Sequence, residues 1–276
     1  MPDPIQPKKV LGQYFLKNTT AVMQSINALR LEAGETVIEI GPGTGALTLP
    51  LLKTCQRIGC NYVGIEKDEE LAQLLRERIM NYEVRIKEGA AQIIDGDILQ
   101  LLPTLTHTSK FILPSRYKII GNIPYYITGH LLRVISELPK KPLATVLMIQ
   151  KEVAERVCAQ PPKMNLLAAA TQVWAIPKLL LTLKPSDFEP RPAVYSAVIE
   201  LKTKDLGLST SELTNYFASL HRIFKQPRKM LINNLVDGGL SRPDALSLIE
   251  KIGLPATARP QDLTVAQCLE IAPRFP

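Results

Sequence analysis

The run Thr36-Val37-Ile38-Glu39-Ile40 passes at once into Gly41-Pro42-Gly43-Thr44-Gly45 and then into a helical pattern from Ala46. β-branched residues suit a buried strand, and the glycines let the next stretch of backbone turn sharply and approach a ligand closely. Strand, glycine turn and helix form a nucleotide-type binding corner, which commits the chain to an α/β architecture. The spacing G-x-G-x-G falls short of the dinucleotide pattern G-x-G-x-x-G, which counts against a nicotinamide-dependent oxidoreductase. No lysine follows the glycines, so a phosphate-cradling P-loop is excluded. Glu39, one residue before Ile40, can face a cationic group such as an amino acid's ammonium. The plain alternative is a glycine turn that meets no ligand.

Further strand patterns end in polar residues. Tyr62-Val63-Gly64-Ile65 runs into Glu66, about 20 residues past the glycine corner, where an acid is positioned to accept from a ribose diol. Its alternative is a surface carboxylate paired with Lys67. Ala91-Gln92-Ile93-Ile94 leads through Asp95-Gly96 to Asp97, which can accept from an adenine amino group or can serve only a turn. Tyr117-Lys118-Ile119-Ile120 leads into Gly121-Asn122-Ile123-Pro124-Tyr125-Tyr126, before a helix (Ile127, Leu131, Val134, Ile135) that Thr128 can cap. A fifth strand spans Ala144 to Ile149. Glycines, Glu66, Asp97 and Asn122 at successive strand ends describe a nucleoside-bearing cofactor lying across a doubly wound sheet.

Gly121 to Tyr126 suits methylation of an exocyclic amine on a nucleobase. Such an amine is a poor nucleophile, because its lone pair is delocalised into the ring. The Asn122 side-chain carbonyl and the Ile123 backbone carbonyl, freed by the bend at Pro124, would favour its pyramidal form and stabilise the growing positive charge. Tyr125 supplies a flat face for an extruded base. After the alternating segments Thr171 to Leu183 and Ser196 to Lys202, the proline-stiffened loop 185–192 can hold Phe188 above the site, or Phe188 can pack in the core. An ordinary strand-to-helix turn remains the alternative for the whole stretch.

At the amino end, Lys8, Lys9 and Lys17 surround Leu11-Gly12-Gln13-Tyr14-Phe15-Leu16, which either packs on the domain or folds over a cofactor. A helix capped by Thr19 or Thr20 follows, with Val22, Met23, Ile26 and Leu29 on its apolar face. After about residue 204 strand patterns stop and helical ones take over (Leu213, Phe217, Leu220, Phe224; Leu231, Leu235; Ala245, Leu248, Ile249). Arg222, Lys225, Arg228 and Lys229 cluster without an acid, Pro227 suits the first turn of a new helix, and the cations contact RNA or form a solvated face.

With 276 residues and 46% hydrophobic content the chain can bury one large core and a smaller satellite. Its net charge of +7 suggests a polyanionic partner. No apolar run approaches ~20 residues and Met1-Pro2-Asp3-Pro4 opens no signal core, so a soluble cytoplasmic protein is expected. Cys55, Cys60, Cys158 and Cys268 form no C-x-x-C pair, so neither a metal nor a disulfide framework is expected.

These residues resemble the KsgA/RsmA ribosomal RNA adenine dimethyltransferases and, beyond them, the Erm methyltransferases. The likeness covers nearly the whole chain. It rests on Gly12-Gln13-Tyr14-Phe15-Leu16, Glu39-Ile40-Gly41-Pro42-Gly43-Thr44-Gly45, Gly121-Asn122-Ile123-Pro124-Tyr125, Gln150 to Arg156, Phe188 to Pro192 with Ser196-Ala197-Val198, and Phe224 to Lys229. It implies a Rossmann-like class I methyltransferase with a mainly parallel seven-stranded sheet over residues 1–204, and a small all-α rRNA-binding domain over 205–276. It implies S-adenosylmethionine held by Gln13, Tyr14, Leu16, Gly41, Gly43, Glu66, Asp97 and Asn122, and adenine held by Asn122, Pro124, Tyr125 and Phe188. Tyr14 stands where the family usually has asparagine or histidine, Tyr195 replaces its usual aspartate, and Met164 to Leu167 lacks its tyrosine-glycine-arginine.

The expected function is methyl transfer to N6 of two adjacent adenosines near the 3′ end of small-subunit rRNA, in the immature 30S subunit, by a monomer. The alternatives are a ribosome-assembly factor with little activity and an Erm-like enzyme acting on large-subunit rRNA.

Overall fold

The computed structural model describes residues 12–81, 90–104 and 114–275; Lys8, Lys9 and Leu11 lie outside them. The elements in chain order are β1 (Phe15–Leu16), α1 (Thr19–Ala28), β2 (Thr36–Ile40), α2 (Thr48–Ile58), β3 (Asn61–Glu66), α3 (Glu69–Asn81), β4 (Ala91–Asp95) and α4 (Ile98–Thr104). They continue with β5 (Tyr117–Asn122), α5 (Thr128–Glu137), β6 (Ala144–Gln150), α6 (Lys151–Val157), α7 (Leu166–Gln172), β7 (Ala175–Leu183), β8 (Phe188–Glu189) and β9 (Ser196–Thr203). Four helices close the chain: α8 (Thr210–Ile223), α9 (Leu231–Asp237), α10 (Arg242–Lys251) and α11 (Val265–Ile271).

Seven strands form one sheet in the order β4-β3-β2-β5-β6-β9-β7, and β1 pairs separately with β8. The strands from β4 to β6 are parallel, and β9 runs antiparallel to β6. The order reverses between β2 and β5, a switch point whose carboxyl ends open a crevice. Register aligns Ile40 with both Ile65 and Gly121, and Glu66 with Asp95. The glycine loop, Glu66, Asp97 and Asn122 are thereby brought to one edge.

β2 is buried throughout, as its Val and Ile content requires. Lys118, inside buried β5, is accommodated because its Nζ meets Glu35 and the Arg30 carbonyl, each at 2.7 Å. Gly121 permits the close approach of β5 to β2. A Cβ there would lie 2.8 Å from the Ile40 carbonyl oxygen.

Two compact units divide the chain: the described residues up to Ala154 with Lys178–Thr203, and Glu155–Pro177 with Lys204–Pro276. The helical unit thus takes in α7 as well as the four final helices. Within it Tyr216 is fully buried and donates to the Ala169 carbonyl at 3.1 Å. A reciprocal Ser209–Glu212 capping box starts α8.

Several local expectations are corrected. Asn18, not Thr19 or Thr20, caps α1: its Oδ1 accepts from the Ala21 amide at 3.0 Å. Met23 is 43% exposed, and the buried face of α1 is Ala21, Val22, Ser25 and Ile26. Thr128 makes no capping bond, because the turn Tyr125–Ile127 already leads into α5 with helical backbone. β7 begins at Ala175, not Thr171, since Asn165 caps a helix through Gln172. Pro227 lies in a turn, and α9 starts only at Leu231. Tyr216, Leu220 and Ile223 are the buried face of α8, while Leu213 and Phe217 are half-buried. Among the described residues no helix is long and apolar enough to cross a membrane.

Candidate active site

Gln13, Tyr14, Leu16, Gly41, Gly43, Glu66, Asp97, Asn122, Pro124 and Tyr125 line one cleft at the carboxyl edge of the sheet. The structure therefore brings together residues from five separate stretches of the chain. Gly41 and Gly43 have φ of +61° and +59°, a region where side chains are strained. Phe15 lies over Gly43, where an added Cβ would sit 3.3 Å from its ring. The amino-terminal segment thus folds over the glycine loop. β1–β8 pairing, the Lys17 amide on the Asp187 carbonyl at 2.8 Å and a Lys17–Glu189 ion pair at 3.0 Å fix it there.

Glu66 is 6% exposed and accepts from the Gly43 amide at 2.8 Å and the Asp68 amide at 2.9 Å. Burial raises its pKa, against the pull of those backbone bonds. Lys67 does not pair with Glu66; it pairs with Asp97 at 2.8 Å. Burial works to raise Asp97, but the bonds from Lys67 and the Leu99 amide, with the Lys67 charge, leave its pKa lowered. Gln13 donates to Asp68 Oδ2 at 3.2 Å.

Glu39 also borders the cleft, but at 1% exposure it is a core group. One of its oxygens accepts from Tyr62 at 2.7 Å and from Thr48 at 2.8 Å. Burial raises its pKa to about 7, even against the two hydroxyl bonds.

Asn122 donates through Nδ2 to the Tyr14 carbonyl at 2.7 Å. Because a carbonyl oxygen can only accept, this bond settles which way the amide faces and leaves Oδ1 as an acceptor. The Ile123 amide is used by the Met148 carbonyl at 3.0 Å, while no described group donates to the Ile123 carbonyl. Tyr125 is tied to Ser196 Oγ through its hydroxyl at 2.8 Å. Its ring stacks on Tyr14, with centroids 5.5 Å apart and planes 25° apart.

Phe188 is not among the cleft-lining residues. It is 1% exposed, sits opposite Leu16 in the β1–β8 ladder and belongs to the hydrophobic core. The ring that faces Tyr125 is Tyr14. In the helical unit Lys225, Arg228 and Lys229 are exposed in the turn before α9. Arg222 instead lies over the Phe275 ring, 5.3 Å from its centroid, and bonds the Gly238 carbonyl at 3.4 Å.

Sequence reasoning missed the supporting groups: Asp68 behind Gln13, Tyr62 and Thr48 behind Glu39, and Ser196 behind Tyr125. Asp68 had a local signal, an acid just before a helical run. Tyr62 and Ser196 are brought to their partners by strand register, and Thr48 reaches Glu39 across the turn from β2 into α2.

The cleft fits a nucleoside-bearing cofactor. Carboxylates stand at adjacent strand ends for hydroxyl and amino donors, Ile40, Leu47 and Ile98 give an apolar lining, and a Cβ at Gly41 would meet nothing within 4 Å.

Residues 5–275 match the family described as "Ribosomal RNA adenine dimethylase". A "Ribosomal RNA small subunit methyltransferase A" from Dehalococcoides mccartyi (strain CBDB1) is 32% identical over 275 residues, covering 97% of this chain and 89% of that protein. One of the same name from Nostoc punctiforme is 34% identical over 283 residues, covering 97% and 94%. Among solved structures, the 23S rRNA methyltransferase ErmE superposes with a TM-score of 0.72 at 20% identity, covering 95% of this chain and 99% of that one. A dimethyladenosine transferase from Plasmodium falciparum gives 0.74 at 21%, covering 93% and 95%. Both likenesses carry the Rossmann-like methyltransferase fold across the chain.

Proposed function

The chain belongs to the ribosomal RNA adenine dimethylase family, and from that membership together with the cleft we propose that it methylates N6 of two adjacent adenosines near the 3′ end of small-subunit rRNA, with S-adenosylmethionine as donor. It is an rRNA adenine methyltransferase. The observation that carries the residue-level reading is the Asn122 amide, anchored on the Tyr14 carbonyl so that its own carbonyl remains to accept an amine.

When bound, the cofactor supplies a methyl group on a sulfonium, already activated, so the protein's part is positioning and desolvation. Glu66 and Asp97 are assigned to its hydroxyl and amino donors, and the glycine loop under Phe15 to its close backbone contact. Asn122 Oδ1 and the Ile123 carbonyl are assigned to the two N–H bonds of the adenine amine. As that nitrogen attacks, the acceptors stabilise the charge developing on it. Tyr125 offers the stacking face, held by Ser196 and stacked on the Tyr14 ring.

The small-subunit assignment follows relatives above 30% identity that are named for that subunit. The likeness to ErmE, at 20%, speaks for fold alone. The substrate is assigned as rRNA within an immature small subunit, met by a soluble cytoplasmic monomer. Mass spectrometry of rRNA from cells with and without the gene is the direct test. Loss of a dimethylated adenosine pair from small-subunit rRNA is expected, and loss from large-subunit rRNA would overturn the assignment.

Asp97→Ala is expected to weaken S-adenosylmethionine up to roughly tenfold, the scale of one net hydrogen bond. Glu66→Ala should cost at least as much, because it also releases the Gly43 amide. Calorimetry showing unchanged affinity in both folded variants would sink the cofactor assignment.

The exposed cations of the helical unit are assigned to rRNA phosphates. Substituting Arg228 and Lys229 together should lower the slope of log affinity against log salt by about 0.7–0.9 for each lost contact. An unchanged slope would remove that surface. Arg222, engaged with Phe275, is expected to act on stability more than on the slope.

A further inference from the structure

Tyr126 is 61% exposed, yet it lines the cleft together with Asn122 and Tyr125. The two neighbouring tyrosines of the turn Tyr125–Ile127 meet different surroundings. Tyr125 has its hydroxyl on Ser196 and its ring on Tyr14. Tyr126 meets the amino-terminal segment at Gly12, where an added Cβ would lie 3.3 Å from its ring and 3.6 Å from the Pro124 Cβ. Gly12 has a φ of +63°, where side chains are strained, so its backbone approaches the ring with nothing between. The ring is thus steadied by backbone and by a proline, while most of its surface stays open.

A single exposed ring is ordinary on a protein surface. This one follows directly on Pro124 and Tyr125, the residues assigned to the target adenine, and consecutive Cα atoms are only about 3.8 Å apart. Extruding a base takes a stacking partner from its neighbour in the strand. A second aromatic face, one residue beyond the platform of the extruded base, replaces that partner. Two exposed basic side chains stand at the same rim. Lys67, although paired with Asp97, is close enough to interact electrostatically with Tyr126, and His130 interacts in the same way with Asp97. S-adenosylmethionine carries no phosphate, whereas every nucleotide of a strand does, so basic groups here suit RNA better than the cofactor.

We propose that Tyr126 is a second nucleobase subsite, stacking the base next to the adenine held in the cleft. With two adjacent targets, the ring can hold one adenosine while its partner is methylated. A nucleobase is favoured over a protein side chain because the ring is continuous with the target-base position, so a strand with one base in the cleft has its next base at Tyr126. The inference rests on the reading that the cleft receives an rRNA adenine.

The test pairs the wild-type chain, Tyr126→Ala and Tyr126→Phe with a labelled small-subunit rRNA 3′ fragment, either intact or with abasic ribose in place of one or the other adenosine of the pair. Tyr126→Ala should bind the intact fragment about 10–100-fold more weakly, the scale of one stacked base, and Tyr126→Phe should match the wild type. The wild type should lose a similar factor on at least one abasic fragment. Tyr126→Ala should lose little more there, because both changes remove the same contact. S-adenosylmethionine affinity by calorimetry should be the same in all three proteins. Unchanged binding of the intact fragment by folded Tyr126→Ala, or losses that multiply on both abasic fragments, overturns the subsite alone. An equal fall in cofactor affinity also overturns it, since the ring would then serve the cofactor. A wild type that neither binds the intact fragment nor methylates its adenosine pair overturns both the subsite and the substrate reading beneath it.

Discussion

Asn122→Ala should slow single-turnover methyl transfer by about 10²–10³, while rRNA affinity falls far less. The asymmetry follows from when the interaction matters. A neutral amine in the ground state gains little from a second acceptor, but the attacking nitrogen acquires positive charge and the acceptor is already in place. The Nδ2 bond to Tyr14 is what pre-sets it, so no reorganisation is needed as the methyl group moves. Because that bond also steadies the segment over the glycine loop, cofactor affinity should be measured alongside. A wild-type single-turnover rate in the folded variant would remove Asn122 from the chemistry.

The second large effect is on stability and has a definite pH window. The Glu39 carboxyl titrates at about 7 in the fold against 4.5 ordinarily. Between those values the native chain holds the proton more tightly than the unfolded chain, so this group's contribution falls as pH rises. It is fully present below 4.5 and gone above about 7, a change of about 3 kcal/mol. Glu39→Gln keeps an oxygen for Tyr62 and Thr48 but cannot ionise. Chemical denaturation from pH 4 to 8 should show the variant gaining about 3 kcal/mol on the wild type across the window. A difference that stays constant with pH would mean that the wild-type carboxyl titrates normally.

The strands and the cleft edge were legible because β-branched runs ending in glycine or acid carry their signal locally. Register then had only one way to align them. Phe188 was not legible as a core residue, because whether an aromatic in a stiff loop points in or out depends on what pairs with that loop. Its partner, Leu16, lies at the other end of the chain. The Tyr14–Tyr125 stack was hidden for the same reason. Asn18 lost to two threonines by one position, which composition cannot separate but the Ala21 amide does. The stretch from Thr171 to Leu183 read as one strand because β-branched and apolar residues continue through it, while Asn165, the residue that starts the helix, lies further upstream.

The β1–β8 ladder gives the site a place in time. Residues 15–16 leave the ribosome early, but their partners at 188–189 emerge more than a hundred residues later, after every parallel strand has already been made. A nascent chain can therefore assemble the parallel sheet, with its glycine loop and Asn122, and still lack the clamp that holds Phe15 over Gly43. Domains fold as units during synthesis, so the clamp is among the last parts of the cleft to lock. Its pairing joins segments far apart in sequence, which makes it slow to form as well as late. Any chain stopped before residue 188 would carry the sheet edge without its cover.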